Sequence, residues 1–70
     1  MDTHVKMRKC LTKWMTDIDL WLEMRKRFKY SGSPNTLARE RRKLVEKGGI
    51  VERPLINKKG VKYKQFRVEK

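Results

Sequence analysis

Between Ser33 and Gly48 the chain carries a helix with both of its ends written into it. The hydroxyl of Ser33 is a ready acceptor for an otherwise unpaired backbone N–H of a first helical turn. Pro34 suits the position after the cap, where no N–H is lost and φ is already helical. Gly48 supplies the residue that most easily takes the left-handed conformation closing a helix. The stretch SPNTLARERRKLVEK, followed by Gly48-Gly49, therefore predicts a helix over residues 34–47. At about 100° per residue, Leu37, Ala38, Leu44, Val45 and Gly48 fall on one side. Asn35, Thr36, Arg39, Arg42 and Lys43 fall on the other, together with Glu46. That outer side holds donors suited to phosphates and base edges, near a helix N-terminus that itself favours anions. A plain solvated basic face is the alternative.

The charge balance narrows the choice of partner. Twenty Lys and Arg stand against 8 Asp and Glu, a net charge of +12 on 70 residues. Such a field repels itself, so a polyanion is the natural counterpart: a nucleic acid first, a membrane surface second. The length predicts one small domain over residues 1–70, near the lower limit for a sufficient core. Two Trp, two Phe and two Tyr argue against disorder, because each can bury a large area. The single Cys10 excludes an intramolecular disulfide, and Cys10 with the lone His4 offers no metal site. No metal or other cofactor is expected. No apolar run approaches a membrane span and no signal peptide is visible, which predicts a cytoplasmic, nucleoid or nuclear protein and not a secreted one.

Ahead of the central helix, Val5, Leu11, Trp14, Met15, Ile18, Trp21, Leu22 and Phe28 recur at helical spacing. Thr16 with Asp19 forms a capping-box pattern, and Asp17 and Asp19 favour a helix N-terminus. Two helices are therefore predicted, over 4–15 and 17–29, with one long helix as the alternative. Trp14, Trp21 and Phe28 are expected in the core. Tyr30-Ser31-Gly32 is a turn that brings the second and third helices together.

After Gly48-Gly49 the texture becomes β-prone. Ile50 to Arg53 is a short run stopped by Pro54, and VKYKQFRV from Val61 to Val68 is a second. They predict a hairpin over 50–68 with a basic tip. Strict alternation sets Val61 and Tyr63 on one face and Phe66 and Val68 on the other. A bulge near Lys64-Gln65 would bring both pairs to the core, and is favoured over leaving one pair exposed. The ends, Met1 to Thr3 and Glu69-Lys70, are expected to be loosely held.

The fold class that emerges is α+β and mostly α: three helices, then a two-stranded β-hairpin. With TLARERRKLVEKGGIVER from Thr36 to Arg53 and KGVKYKQFRV from Lys59 to Val68, it resembles a winged helix-turn-helix domain of prokaryotic, archaeal or viral regulators. The motif resemblance covers about half the chain, and the order of elements nearly all of it. It implies a DNA-binding protein, a small transcriptional regulator or DNA-architectural factor on double-stranded DNA. Its recognition helix, 34–47, would enter the major groove, and the 54–60 wing would meet the backbone or minor groove. Asn35, Thr36, Arg39 and Arg42 are then the candidates for base edges. Ser33, Lys43, Arg53, Asn57, Lys58, Lys59, Lys62 and Lys64 are the candidates for phosphates.

Two departures from the family pattern stand out. Arg41 falls in the middle of the apolar face, where it needs a carboxylate from Asp17, Asp19 or Glu23, or else the helix is rotated. Gly49 is an extra glycine before the first strand. The alternative functions are an RNA-binding or ribosome-associated winged domain, and a protein-interaction module. A homodimer through the first helix would use Val5, Met7, Leu11 and Trp14. No catalytic constellation, phosphate loop or small-molecule pocket is evident, so an enzyme is not expected.

Overall fold

A computed structural model describes residues 2–69 of the chain. Three helices, α1 (Thr3–Cys10), α2 (Asp17–Phe28) and α3 (Pro34–Lys47), lead into an antiparallel hairpin of β1 (Ile50–Ile56) and β2 (Lys62–Val68). This is the expected class and order of elements.

The local signals act as the sequence implies. The Thr16 hydroxyl accepts from the Asp19 N–H at 3.1 Å, and the Asp19 carboxylate accepts from the Thr16 N–H at 3.2 Å. This reciprocal box starts α2 and rules out one long N-terminal helix. α2 stops at Phe28, one residue early, because Lys29 turns left-handed at φ 54°. α3 has the expected bounds, with Ser33 Oγ accepting from the Thr36 N–H at 3.1 Å.

The first helix departs from expectation. It ends at Cys10 and not at residue 15. Beyond it the chain bends at Thr12 and Lys13 and then bridges to β2: the Met15 N–H donates to Phe66 O at 3.0 Å, and the Phe66 N–H to Met15 O at 2.7 Å. The Val68 N–H adds a bond to Leu11 O at 2.9 Å. A helical pattern is overridden here because β2 has an unpaired edge that this segment satisfies.

The hairpin corrects two further expectations. β1 does not stop before Pro54; it runs on to Ile56, with Pro54 opposite Lys64. Bonds from Asn57 N–H to Val61 O and from Glu69 N–H to Gly49 O put odd-numbered residues of β1 on the bonded side. Pro54 therefore turns its nitrogen, which has no hydrogen, to the free edge and costs the ladder nothing. The favoured bulge is absent, for the register is continuous from Ile50 opposite Val68 to Ile56 opposite Lys62. Phe66 is buried while Val61 and Tyr63 stay exposed, because without a bulge strict alternation leaves them on the face opposite Phe66 and Val68.

The core is Met7, Cys10, Leu11, Met15, Leu20, Met24, Leu37, Leu44, Ile50 and Phe66, with each helix packed on the other two. Trp21 and Phe28 lie partly buried against it. Trp14 does not join them. Extended backbone alternates its side chains, so Met15 faces the core and Trp14 the opposite face of the sheet. There the indole lies between the guanidinium groups of Arg53 and Arg67, 4.3 and 4.8 Å from the ring centre. Cys10 is held by its Sγ against Met24 Sδ at 3.7 Å, and burial pushes its thiol pKa up, keeping it protonated and unreactive.

The ends are held more firmly than expected. Asp2 caps α1 by accepting from the Val5 N–H at 2.9 Å, and Glu69 is tied to Gly49. Met1 and Lys70 lie outside the described residues. Gly49 also finds its reason. At φ 84° it turns the chain from α3 into β1, and a Cβ there would sit 2.7 Å from the Arg8 guanidinium, which donates to Gly48 O.

Candidate nucleic-acid interface

α3 is fixed to the rest of the molecule on its inner face and both flanks. Leu37 and Leu44 are buried in the core. Arg41, the charged residue in that apolar face, donates from Nε and Nη2 to the two carboxylate oxygens of Asp17 at 2.8 and 2.9 Å. Its guanidinium also covers the Phe66 ring at 3.9 Å. This fork-on-fork pair is the expected answer to a buried arginine, and it excludes a rotated α3. On the α1 flank, His4 Nδ1 lies 2.9 Å from Lys47 Nζ and His4 Nε2 lies 3.2 Å from Glu40 Oε1. Glu40 also meets Lys43 at 3.2 Å, and that bond holds its carboxyl below the ordinary range, with His4 adding to the effect. At the N-terminal end, the Trp21 indole N–H donates to Gly32 O at 2.9 Å and fixes the turn between α2 and α3.

With α3 so clamped, its outer face is determined. Asn35, Thr36, Arg39 and Arg42 are all exposed, as are the eight phosphate candidates. Exposure does not make them equal. Arg39 and Arg42 have no carboxylate partner among the described residues, and Asn35 makes no side-chain hydrogen bond there. Thr36 turns its hydroxyl to Ser33 Oγ at 2.9 Å, so this pair serves the helix cap. Lys43 is paired with Glu40, and Lys64 with Glu52 at 3.6 Å. Arg53 lies on Trp14 and donates from Nε and Nη2 to Gln65 Oε1 at 2.9 and 2.6 Å.

The wing tip is a built turn. Asn57 Oδ1 accepts from the N–H groups of Lys59 and Val61 at 2.8 and 3.0 Å, while the Gly60 N–H donates to Asn57 O at 3.0 Å. Gly60 sits at φ 82°, the left-handed position that ends a three-residue hairpin loop. Asn57 is thus the framework of the tip, and Lys58, Lys59 and Lys62 are its free cations. The exposed candidates with no side-chain hydrogen bond or ion pair among the described residues are Asn35, Arg39 and Arg42 on α3 with Lys58, Lys59 and Lys62 on the wing.

The structure adds what the sequence pattern concealed. Trp14 with Arg53 and Arg67 was hidden by a helical spacing that pointed to the core. Ile56, beside the tip, is 65% exposed and no periodicity marked it; Val61, 56% exposed, belongs to the pair that strict alternation sets apart from Phe66 and Val68. Of the residues named for a dimer seam, Met7 and Leu11 are fully buried within the molecule and Trp14 is covered by arginines, while Val5 stays 40% exposed. No helix among the described residues is long and apolar enough to cross a membrane. No protein-family model, curated protein or solved structure matches this chain.

Proposed function

We infer that the protein binds double-stranded DNA in the manner of a winged helix-turn-helix domain, as a small transcriptional regulator or architectural factor acting by occupancy. α3 enters the major groove with Asn35, Arg39 and Arg42 toward base edges, and the wing tip lays Lys58 and Lys59 on the backbone or in the adjacent minor groove. One observation carries the reading. Arg39 and Arg42 stand exposed, with no acid partner among the described residues, on the outer face of a helix whose inner face is buried through Leu37 and Leu44 and paired through Arg41 with Asp17. A guanidinium in that position forms a bidentate pair with guanine, and an Asn carboxamide does the same with adenine.

The test is fluorescence anisotropy on mixed-sequence duplex DNA over a range of salt, with a structured RNA as competitor. Neutralising about six phosphates gives a slope of log affinity on log salt near −5. Lys58→Ala is expected to weaken all sequences alike and to reduce that slope by about one. Arg39→Ala is expected to cost about 1–3 kcal/mol on a preferred site and to relax sequence choice. Equal losses on every sequence from both substitutions would mean that α3 reads no bases. Preference for the RNA competitor would move the protein to the RNA-binding alternative.

A further inference from the structure

The wing carries aliphatic surface that the helices leave uncovered. Ile56 closes β1 and Val61 follows the turn, so the two bracket Asn57-Lys58-Lys59-Gly60, and they are the two most exposed large apolar residues described. Pro54 and Ile56 share with Lys62 and Lys64 the face that, nearer the base, covers the core through Phe66 and Val68. β-Branched residues suit strands anywhere. What sets Ile56 apart is its place on a rigid, protruding tip ringed by Lys58, Lys59 and Lys62.

Two occupants of this surface can be weighed on charge and backbone. An added strand from another protein would need a long free edge, and Pro54 interrupts the row of donors on β1 while Met15 and Leu11 already take the inner half of the β2 edge. A second copy would bring three more lysines against these three. A polyanion that offers an apolar interior between its charged rims meets both requirements, and the minor groove of a duplex is such a place. Aliphatic side chains beside basic ones wedge between base steps there and kink the duplex.

We propose that Ile56 is a wedge that enters the minor groove and partly unstacks a base step, so that the protein kinks the DNA it binds. This rests on the DNA-binding reading above. Lys58 and Lys59 hold the flanking phosphates, and the hydrogen bonds through Asn57 keep the tip stiff enough to press the side chain home. Val61 fills the space on the other side of the turn. Steps that unstack easily, TA and CA, are the favoured points of entry.

The experiment is energy transfer between dyes on the two ends of a duplex of about two helical turns, containing TA steps, titrated to saturation with the full chain. Binding is followed on the same sample by anisotropy, and unstacking by 2-aminopurine placed at the step. The wild type is expected to bring the ends closer by a kink within about 20–90° and to raise 2-aminopurine fluorescence. Ile56→Ser is expected to bind but leave the duplex straight and the probe quenched, and Ile56→Leu to restore both signals. Binding by the wild type without a bend, or a bend undiminished in Ile56→Ser, overturns the wedge and leaves the DNA-binding reading standing. Failure of the wild type to bind duplex at all overturns that reading itself.

Discussion

Phe66→Ala is expected to leave the protein largely unfolded at room temperature. The ring is 2% exposed, and three parts of the molecule meet on it. Its backbone pairs in both directions with Met15, its side chain fills the space beneath the helices, and Arg41 lies across its face. Truncating a buried Phe costs about 3–5 kcal/mol, part transfer and part cavity. A chain of this size rarely holds more than about 3–5 kcal/mol in all. The loss therefore matches the whole stability. A thermal melt followed by far-ultraviolet circular dichroism is expected to lose its cooperative transition. A cooperative melt lowered by less than about 10 °C would show that Phe66 is not the keystone described here.

Asp17→Ala is expected to cost about 2–3 kcal/mol, and more than Arg41→Met. The Arg41 side chain is 12% exposed and Asp17 is 31%, so water can partly replace the carboxylate but not reach all of the guanidinium. Removing the acid strands a charge in the interior, which for a fully buried pair costs about 3–5 kcal/mol; the exposure of Asp17 lowers that figure. Removing the arginine strands much less. Met keeps the packing on Phe66, and Asp17 remains favourable at the N-terminus of α2. Urea titration of both variants gives the comparison. A larger loss for Arg41→Met would mean that the stack on Phe66, and not the ion pair, holds α3 in its orientation.

What was legible in the sequence follows the range of the forces involved. α3 and the start of α2 were fully legible, because Ser33, Pro34, Gly48 and the Thr16–Asp19 box act over a few residues. The partner of Arg41 was legible too: an arginine in an apolar stripe has few solutions, and Asp17 was among those at hand. The end of α1 was not. Leu11, Trp14 and Met15 keep helical spacing, and only the distant edge of β2, which takes Leu11 O and Met15, decides that the helix stops before them. Pro54 looked like a strand end because composition does not reveal which edge of a hairpin is free. The expected bulge rests on covering both apolar pairs, whereas the unbroken register leaves Val61 and Tyr63 on the face away from the core. Within the interface, position on α3 was legible from angle alone. Which side chains are already spent, as Thr36 is on the helix cap, Asn57 on the turn and Arg53 on Gln65 and Trp14, required their neighbours.

In the proposed binding mode one face, the outer side of α3 with the wing tip, meets duplex DNA. Titrating isotope-labelled protein with a mixed-sequence duplex and following its amide and side-chain NMR signals tests it most directly. The account predicts shifts concentrated at Asn35, Arg39, Arg42, Lys58, Lys59 and Ile56, with the exposed sides of α1 and α2 left unmoved. Shifts spread evenly over every lysine and arginine, or gathered on α1 and α2, would contradict it.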